Sequence, residues 1–329
     1  MTISKYMTGF LGLALATAMA QADGPTISCK MDGTNLVVTY TGELYQSTDA
    51  VNWTEIASAS SPYKVKISDK KLFFCAKGET SKNMTIPLSD TVSLDMIWIN
   101  SGTFTMGSPK NELGRWRDET QHEVTLTKAY WLGKYEVTQA QYEAVMGKNP
   151  SGFKGADLPV EMVNWYDAMD FCAKLTASEK AVGRLPEGYE YTLPTEAQWE
   201  YACRAGTTTA LNSGKNLSDK YECPEMDEVG WYGNNSDDTT HPVGQKQPNA
   251  WGLYDMHGNV WEYCLDWYGT YPTSAVTDPT GADTSYYRVS RGGSWSYDAW
   301  NCRSAYRGSY APGYSGRSLG FRLALAPVQ

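Results

Sequence analysis

From about residue 23 to residue 92 the chain alternates apolar and polar positions with a period of two. The runs "NLVVTYTG", "YKVKISD" and "KLFFCAKG" have strand length, and the turn-rich "STDAVNWTEIAS" falls between them. This pattern predicts a small β-sandwich over 23–92. A unit of roughly seventy residues buries little core and needs a staple. Cys29 and Cys75 bracket it, so a disulfide between them is expected. A spacer or attachment role suits such a module. Only Trp53 and Tyr63 hint at carbohydrate binding.

Over residues 93–329 the period changes. "VTQAQYEAVMG" has helical apolar spacing, with Thr138 as its N-cap. "NWYDAMDFCAKLTASEKA" places Ala168, Phe171, Cys172 and Leu175 on one helical face. "LPTEAQWEYACRAG" offers Thr195 as N-cap, and Gln198, three residues on, completes a capping box. After Gly206 the periodicity dissolves into Gly, Asn, Ser and Tyr. The expected class is α+β: two or three helices in a largely irregular domain, held by internal ties such as disulfides or calcium.

Charge narrows the partners. The 329-residue chain carries a net charge of -9 and no basic run, which excludes nucleic acid and anionic membrane as main partners. With 23 Tyr and 12 Trp against 7 Phe, the aromatic content favours half-exposed binding faces. Residues 1–22 read as a signal peptide. Lys5 precedes the apolar "GFLGLALATAMA", and small residues at Ala18, Ala20 and Ala22 set a cleavage point. The expected location is secreted or periplasmic, with no transmembrane segment. Seven cysteines there should mostly pair. The three histidines, His122, His241 and His257, are too scattered for a zinc or iron site. Nothing orients Ser294, His257 and Asp266 as a triad.

Six stretches occur in one order: "GTFTMGS" (102–108), "EVTQAQY" (136–142), "LPTEAQWEYACRAG" (193–206), "HPVGQKQPNAWGLYDMHGNVWEYCLDWY" (241–268), "RGGSW" (291–295) and "LGFRLAL" (319–325). Together they resemble the formylglycine-generating enzyme, or sulfatase-modifying factor, family. The resemblance implies a compact domain of low secondary structure related to C-type lectins.

Family chemistry would use two cysteines that clasp copper just after the Gly-Gly-Ser turn. Here the matching positions are Tyr297 and Cys302. A protonated phenol cannot replace a soft thiolate, so copper is not expected. Ser294 and Trp261 match the family's other active-site positions beside Cys302. The resemblance also implies a calcium ion held by Asp255, Gly258, Val260 and Glu262. Cys203 and Cys302 have each lost their family partner, so they are expected to pair with each other. Cys223 with Cys264 would form a third bridge, leaving Cys172 as a buried free thiol.

Two functions stay open. One is a non-oxidising binding protein that takes a protein or glycan ligand on the C-terminal loop, with Tyr297, Trp300, Tyr310 and Tyr314 as its contacts. The loop "SYDAWNCRSAYRGSYAPGYSGRS" has the Tyr, Ser and Gly-rich composition of antibody-like surfaces. It also resembles, in composition, the variable segment of retroelement-diversified proteins. The other is a copper-dependent oxidase acting on sulfatase cysteines.

Overall fold

A computed structural model describes residues 82–328 throughout; ahead of them it describes short strand segments between residues 7 and 77, with few side chains. The chain divides into two compact units, Met1–Lys82 and Asn83–Gln329.

In the first unit Ile27–Asp32 and Tyr63–Lys66 flank Asn35–Tyr40 in an antiparallel sheet. In a separate sheet, Glu43–Ser47 pairs with Thr54–Glu55 and Phe73–Lys77. Val38 is fully buried, as the alternation requires. Cys29 and Cys75 lie on strands of different sheets. Their expected bridge, and Trp53, lie outside the described residues.

The second unit opens ahead of residue 93. Met84–Pro87 pairs antiparallel with Ser93–Ile99, because Ser89 turns the chain between them by accepting the Val92 N–H at 3.1 Å. These strands begin a five-stranded antiparallel sheet, continued by Tyr130–Gly133, Ala324–Pro327 and Tyr189–Thr192.

Three helices of two turns or more pack beside these strands. Helix α1 (Gln139–Met146) starts at a Thr138–Gln141 capping box and ends at Gly147, whose φ of 73° suits glycine. Helix α2 (Trp165–Ala181) buries Trp165, Ala168, Phe171, Cys172 and Leu175, and Phe171 stacks on Tyr142 at 5.6 Å. Helix α3 (Glu196–Arg204) has the expected cap: Gln198 N–H donates to Thr195 Oγ1 at 3.1 Å, and Thr195 N–H donates to Gln198 Oε1 at 2.9 Å.

A four-stranded sheet carries the C-terminal segment. Its order is Gly308–Tyr310, Arg288–Arg291, Trp261–Trp267, Leu319–Gly320. Gly102–Met106, His122–Leu126 and Val276–Thr277 form a three-stranded sheet, and Gly230–Trp231 pairs with His257–Gly258. Apart from a single helical turn at Pro224–Asp227, most of what remains is turn and loop, in keeping with an α+β domain of low regularity.

Candidate functional site

The site begins at the Gly-Gly-Ser turn after Arg288–Arg291. Gly292 and Gly293 adopt φ of 92° and 74°, which only glycine accepts readily. Cys302 packs so closely on Gly293 that a Cβ there would overlap its sulfur. Buried Arg291, Arg303 and Arg307 hold the residues around and after the turn from below, and buried Arg322 braces the strands beside them.

Arg291 donates to the carbonyls of Ser304 and Tyr306 and to Glu200. Arg303 donates to the carbonyls of Trp300 and Gly114 and to Glu112 and Glu119. Arg307 reaches the Gly269 carbonyl and pairs with both oxygens of Glu196. Arg322 reaches the carbonyls of Gly133 and Tyr254 and pairs with Glu262. Irregular backbone leaves carbonyls without ladder partners, and a guanidinium can serve several of them at once.

Two expected disulfides do not form. Cys203 and Cys302 are both free and buried. The Cys203 sulfur lies 3.5 Å from Ser304 Oγ, and the Cys302 sulfur lies 4.0 Å from the Ser294 carbonyl. His257 sits between the two segments, with Nδ1 on the Cys302 carbonyl at 2.7 Å and Nε2 accepting from the Asn212 N–H at 3.1 Å. Cys223 and Cys264 are also free, because they pack in different core clusters. Cys172 is buried and free on the inner face of α2.

Burial pushes the Cys302 thiol up to about 12, so it is not a thiolate at neutral pH. Tyr297 packs against a different cluster from Cys302. Its hydroxyl meets Tyr310 at 3.1 Å, and its ring meets Trp261 edge-on at 5.3 Å. Ser294 is buried, and its hydroxyl reaches only Ser296, at 3.4 Å. Trp261 is core: its ring is 2% exposed and its Nε1 has no partner.

The rings singled out in the sequence do converge. Tyr310 stacks on Tyr314 at 5.1 Å and meets Trp261 at 6.5 Å. Trp261 meets Tyr306 at 5.9 Å, Tyr306 meets Trp300 at 5.4 Å, and Trp300 meets Trp116 at 6.0 Å. An unbroken line of rings thus runs from exposed Trp116 to exposed Tyr314. Sequence reasoning missed Trp116 and Tyr306. A tryptophan flanked by Arg115 and Arg117 inside the charged "ELGRWRDE" belongs to no apolar run, which was the available signal.

The calcium positions divide. Asp255 accepts from Gly244 N–H through Oδ2 at 2.7 Å, while Oδ1 is buried with no partner. Burial raises its carboxyl to about 6. Glu136, which accepts from the Asn259 side chain and the Val260 N–H, is raised by burial and by Asp255 and Glu262. Arg322 serves this whole acid group and is in direct contact with Glu262. Asp255 therefore fits a hard-cation ligand. Glu262 fits only by sharing oxygens with Arg322 and Trp199 Nε1. Among the described residues no three His, Cys, Asp or Glu side chains form a metal group, so any cage depends on backbone carbonyls such as those of Gly258 and Val260.

Short helices on small sheets, long irregular loops and an arginine-braced Gly-Gly-Ser turn define an α+β, C-type-lectin-like domain of the formylglycine-generating class. The sulfatase-modifying factor enzyme 1-like domain model matches residues 88–327, and the chain belongs to that family. It is 32% identical to the chaperone protein LppX of Paenibacillus barcinonensis over 71% of this chain and 90% of that protein. It is 31% identical to the mouse formylglycine-generating enzyme over 62% of this chain, a match that spans 53% of the mouse protein. Among solved structures it resembles Treponema denticola variable protein 1, at 33% identity and a TM-score of 0.67, covering 75% of this chain and all of that one. PvdO from Pseudomonas aeruginosa is similar at 28% identity and a TM-score of 0.61, covering 74% of this chain and 98% of that one. No helix among the described residues is long and apolar enough to cross a membrane.

Proposed function

We propose that the protein is an extracytoplasmic, non-oxidising binding protein whose partner is another protein. The partner docks on the ring line formed by Tyr297, Trp300, Tyr310 and Tyr314 together with Trp116 and Tyr306. The supporting observation is that Tyr297, which the family resemblance sets at a copper position, joins this line while Cys302 is buried and stays protonated. Large aromatic side chains presented on braced loops carry disproportionate interface energy. A similar protein named a chaperone and another named a variable protein favour a binding role. The apolar "GFLGLALATAMA" near the start of the chain favours export.

With copper and oxygen, the wild type should leave a sulfatase-derived cysteine peptide without an aldehyde, read by mass spectrometry. Aldehyde formation would make the protein an oxidase and overturn this reading. Affinity capture from the source's surface proteins should retain a partner that the Tyr297→Ala, Trp300→Ala, Tyr310→Ala, Tyr314→Ala variant loses. Retention of glycans alone would redirect the proposal.

A structural calcium ion is part of this reading, held by Asp255, Glu262 and the carbonyls of Gly258 and Val260. It would neutralise the acid group and fix the "GLYDMHGNVWEY" turn. Calcium should raise the melting temperature of the wild type. Asp255→Asn, which keeps a residue tolerant of the φ of 55° there, should remove that rise. An equal rise in both proteins places the ion elsewhere.

A further inference from the structure

A second concave site lies at the start of α3, apart from the ring line. It is a cleft of about 220 Å³ whose lining includes Met106, His122, Asp266, Tyr271, Thr280 and Arg307. Two of its polar side chains are more than nine-tenths buried yet incompletely used. Asp266 is 3% exposed, and its Oδ2 accepts the Glu196 N–H at 2.8 Å. Among the described residues no other residue donates to its Oδ1; Asp266's own amide also hydrogen-bonds to the carboxylate, and Oδ1 lies beside Gly281, at the cleft wall. His122 is 6% exposed. Its Nδ1 meets the Thr120 carbonyl at 3.0 Å, its Nε2 meets no hydrogen-bond partner among the described residues, and its ring packs on Tyr271 at 4.8 Å.

The charges around the cleft are otherwise matched. Glu196 gives both oxygens to Arg307, at 2.7 and 2.8 Å, and accepts the Tyr271 hydroxyl at 2.8 Å. Burial opposes its ionisation, but Arg307 holds it below the usual carboxylate range. A cationic ligand would meet the Arg307 guanidinium, and an anionic one would meet Asp266 and Glu196. Hydroxyl groups suit the unused atoms, since a carboxyl oxygen accepts them and an imidazole nitrogen pairs with them in either tautomer. Met106 and Tyr271 offer apolar surface for C–H faces. The volume equals about seven waters at ~30 Å³ each, enough for a single sugar ring.

We propose that this cleft is a ligand site for a neutral, polyhydroxylated molecule of monosaccharide size, with Asp266 and His122 as its polar contacts. The site is independent of the ring line and of the partner proposed for it.

Saturation-transfer NMR on the full chain tests it with methyl α-D-glucopyranoside, methyl α-D-galactopyranoside, methyl α-D-mannopyranoside and N-acetylglucosamine. At least one should bind saturably. Asp266→Asn, which keeps an acceptor for the Glu196 N–H, should weaken it at least about tenfold. Thr280→Trp, at an exposed rim position, should abolish it by filling the cleft. Tyr310→Ala with Tyr314→Ala should leave it unchanged. If Asp266→Asn does not fold, Thr280→Trp decides the question alone. Absence of binding by all four sugars overturns the proposal. So does binding that survives Thr280→Trp, or binding lost only in the tyrosine variant, which would move the sugar to the ring line.

Discussion

Arg303 and Tyr314 belong to one C-terminal segment, yet they are held in opposite ways. Arg303 is fully buried and spends its guanidinium on two carboxylates and two carbonyls, three of them from the distant 112–119 loop. Tyr314 is 49% exposed, and its ring stacks only on Tyr310. The same division runs through the segment. Gly293, Cys302, Ser304 and Arg307 form its underside, while Ser296, Ser309, Ala311 and Tyr314 face outward. Irregular backbone can therefore be rigid without ladders, provided its carbonyls are served from beneath. The outer side chains are then free of any structural duty. A surface of this kind can change its contacts without changing its shape.

The sharpest way to break this comparison is Arg303→Met. It would strand Glu112 and Glu119 in the interior without their cation. A loss of about 3–5 kcal/mol is expected in urea unfolding, the usual cost of splitting a buried pair. A loss below ~1 kcal/mol would mean that the underside is not what holds the segment.

Asp266→Asn probes a carboxyl of the underside that has no guanidinium of its own. Burial, and then the neighbouring Glu196, raise Asp266 to about 7 in the fold, against about 4 for an ordinary carboxyl. Between those values the folded protein keeps a proton that the unfolded chain has released. Wild-type stability should therefore fall as pH rises from about 4 to about 7. The Asn variant lacks this term and should gain on the wild type across that window. Parallel melting curves for the two proteins would reject the assignment.

Tyr314→Ala tests the outer face. Its stability change should stay within about 0.5 kcal/mol, since no buried group loses a partner, while partner capture falls.

The smallest change in metal binding should follow from Tyr297→Cys. Because Cys302 points at the Ser294 carbonyl and is protonated, a second thiol should leave Cu(I) affinity unchanged in a chelator competition. Tight binding would show that Cys302 can turn outward.

How much of this the sequence foretold depended on distance along the chain. The face of α2 and the Thr195–Gln198 cap were legible because their signals lie within a few residues. The carboxylates that hold Arg303, Arg307 and Arg322 were not legible. Glu119 lies far from Arg303 in sequence, and nothing local marks it. The ring line was half legible: the C-terminal tyrosines stood out by composition, whereas Trp116 joins them only through the fold. The Cys203–Cys302 pairing failed because two thiols that have each lost a family partner are not thereby brought together. The path here brings Ser304, not Cys302, to Cys203.

The strand Ala324–Pro327 lies inside the five-stranded sheet, between Tyr130–Gly133 and Tyr189–Thr192. Both neighbours are synthesised long before it. During translation they emerge with a gap between them that only the domain's final strand can fill. The five-stranded sheet therefore cannot close until Ala324–Pro327 has emerged, whatever order the other elements form in.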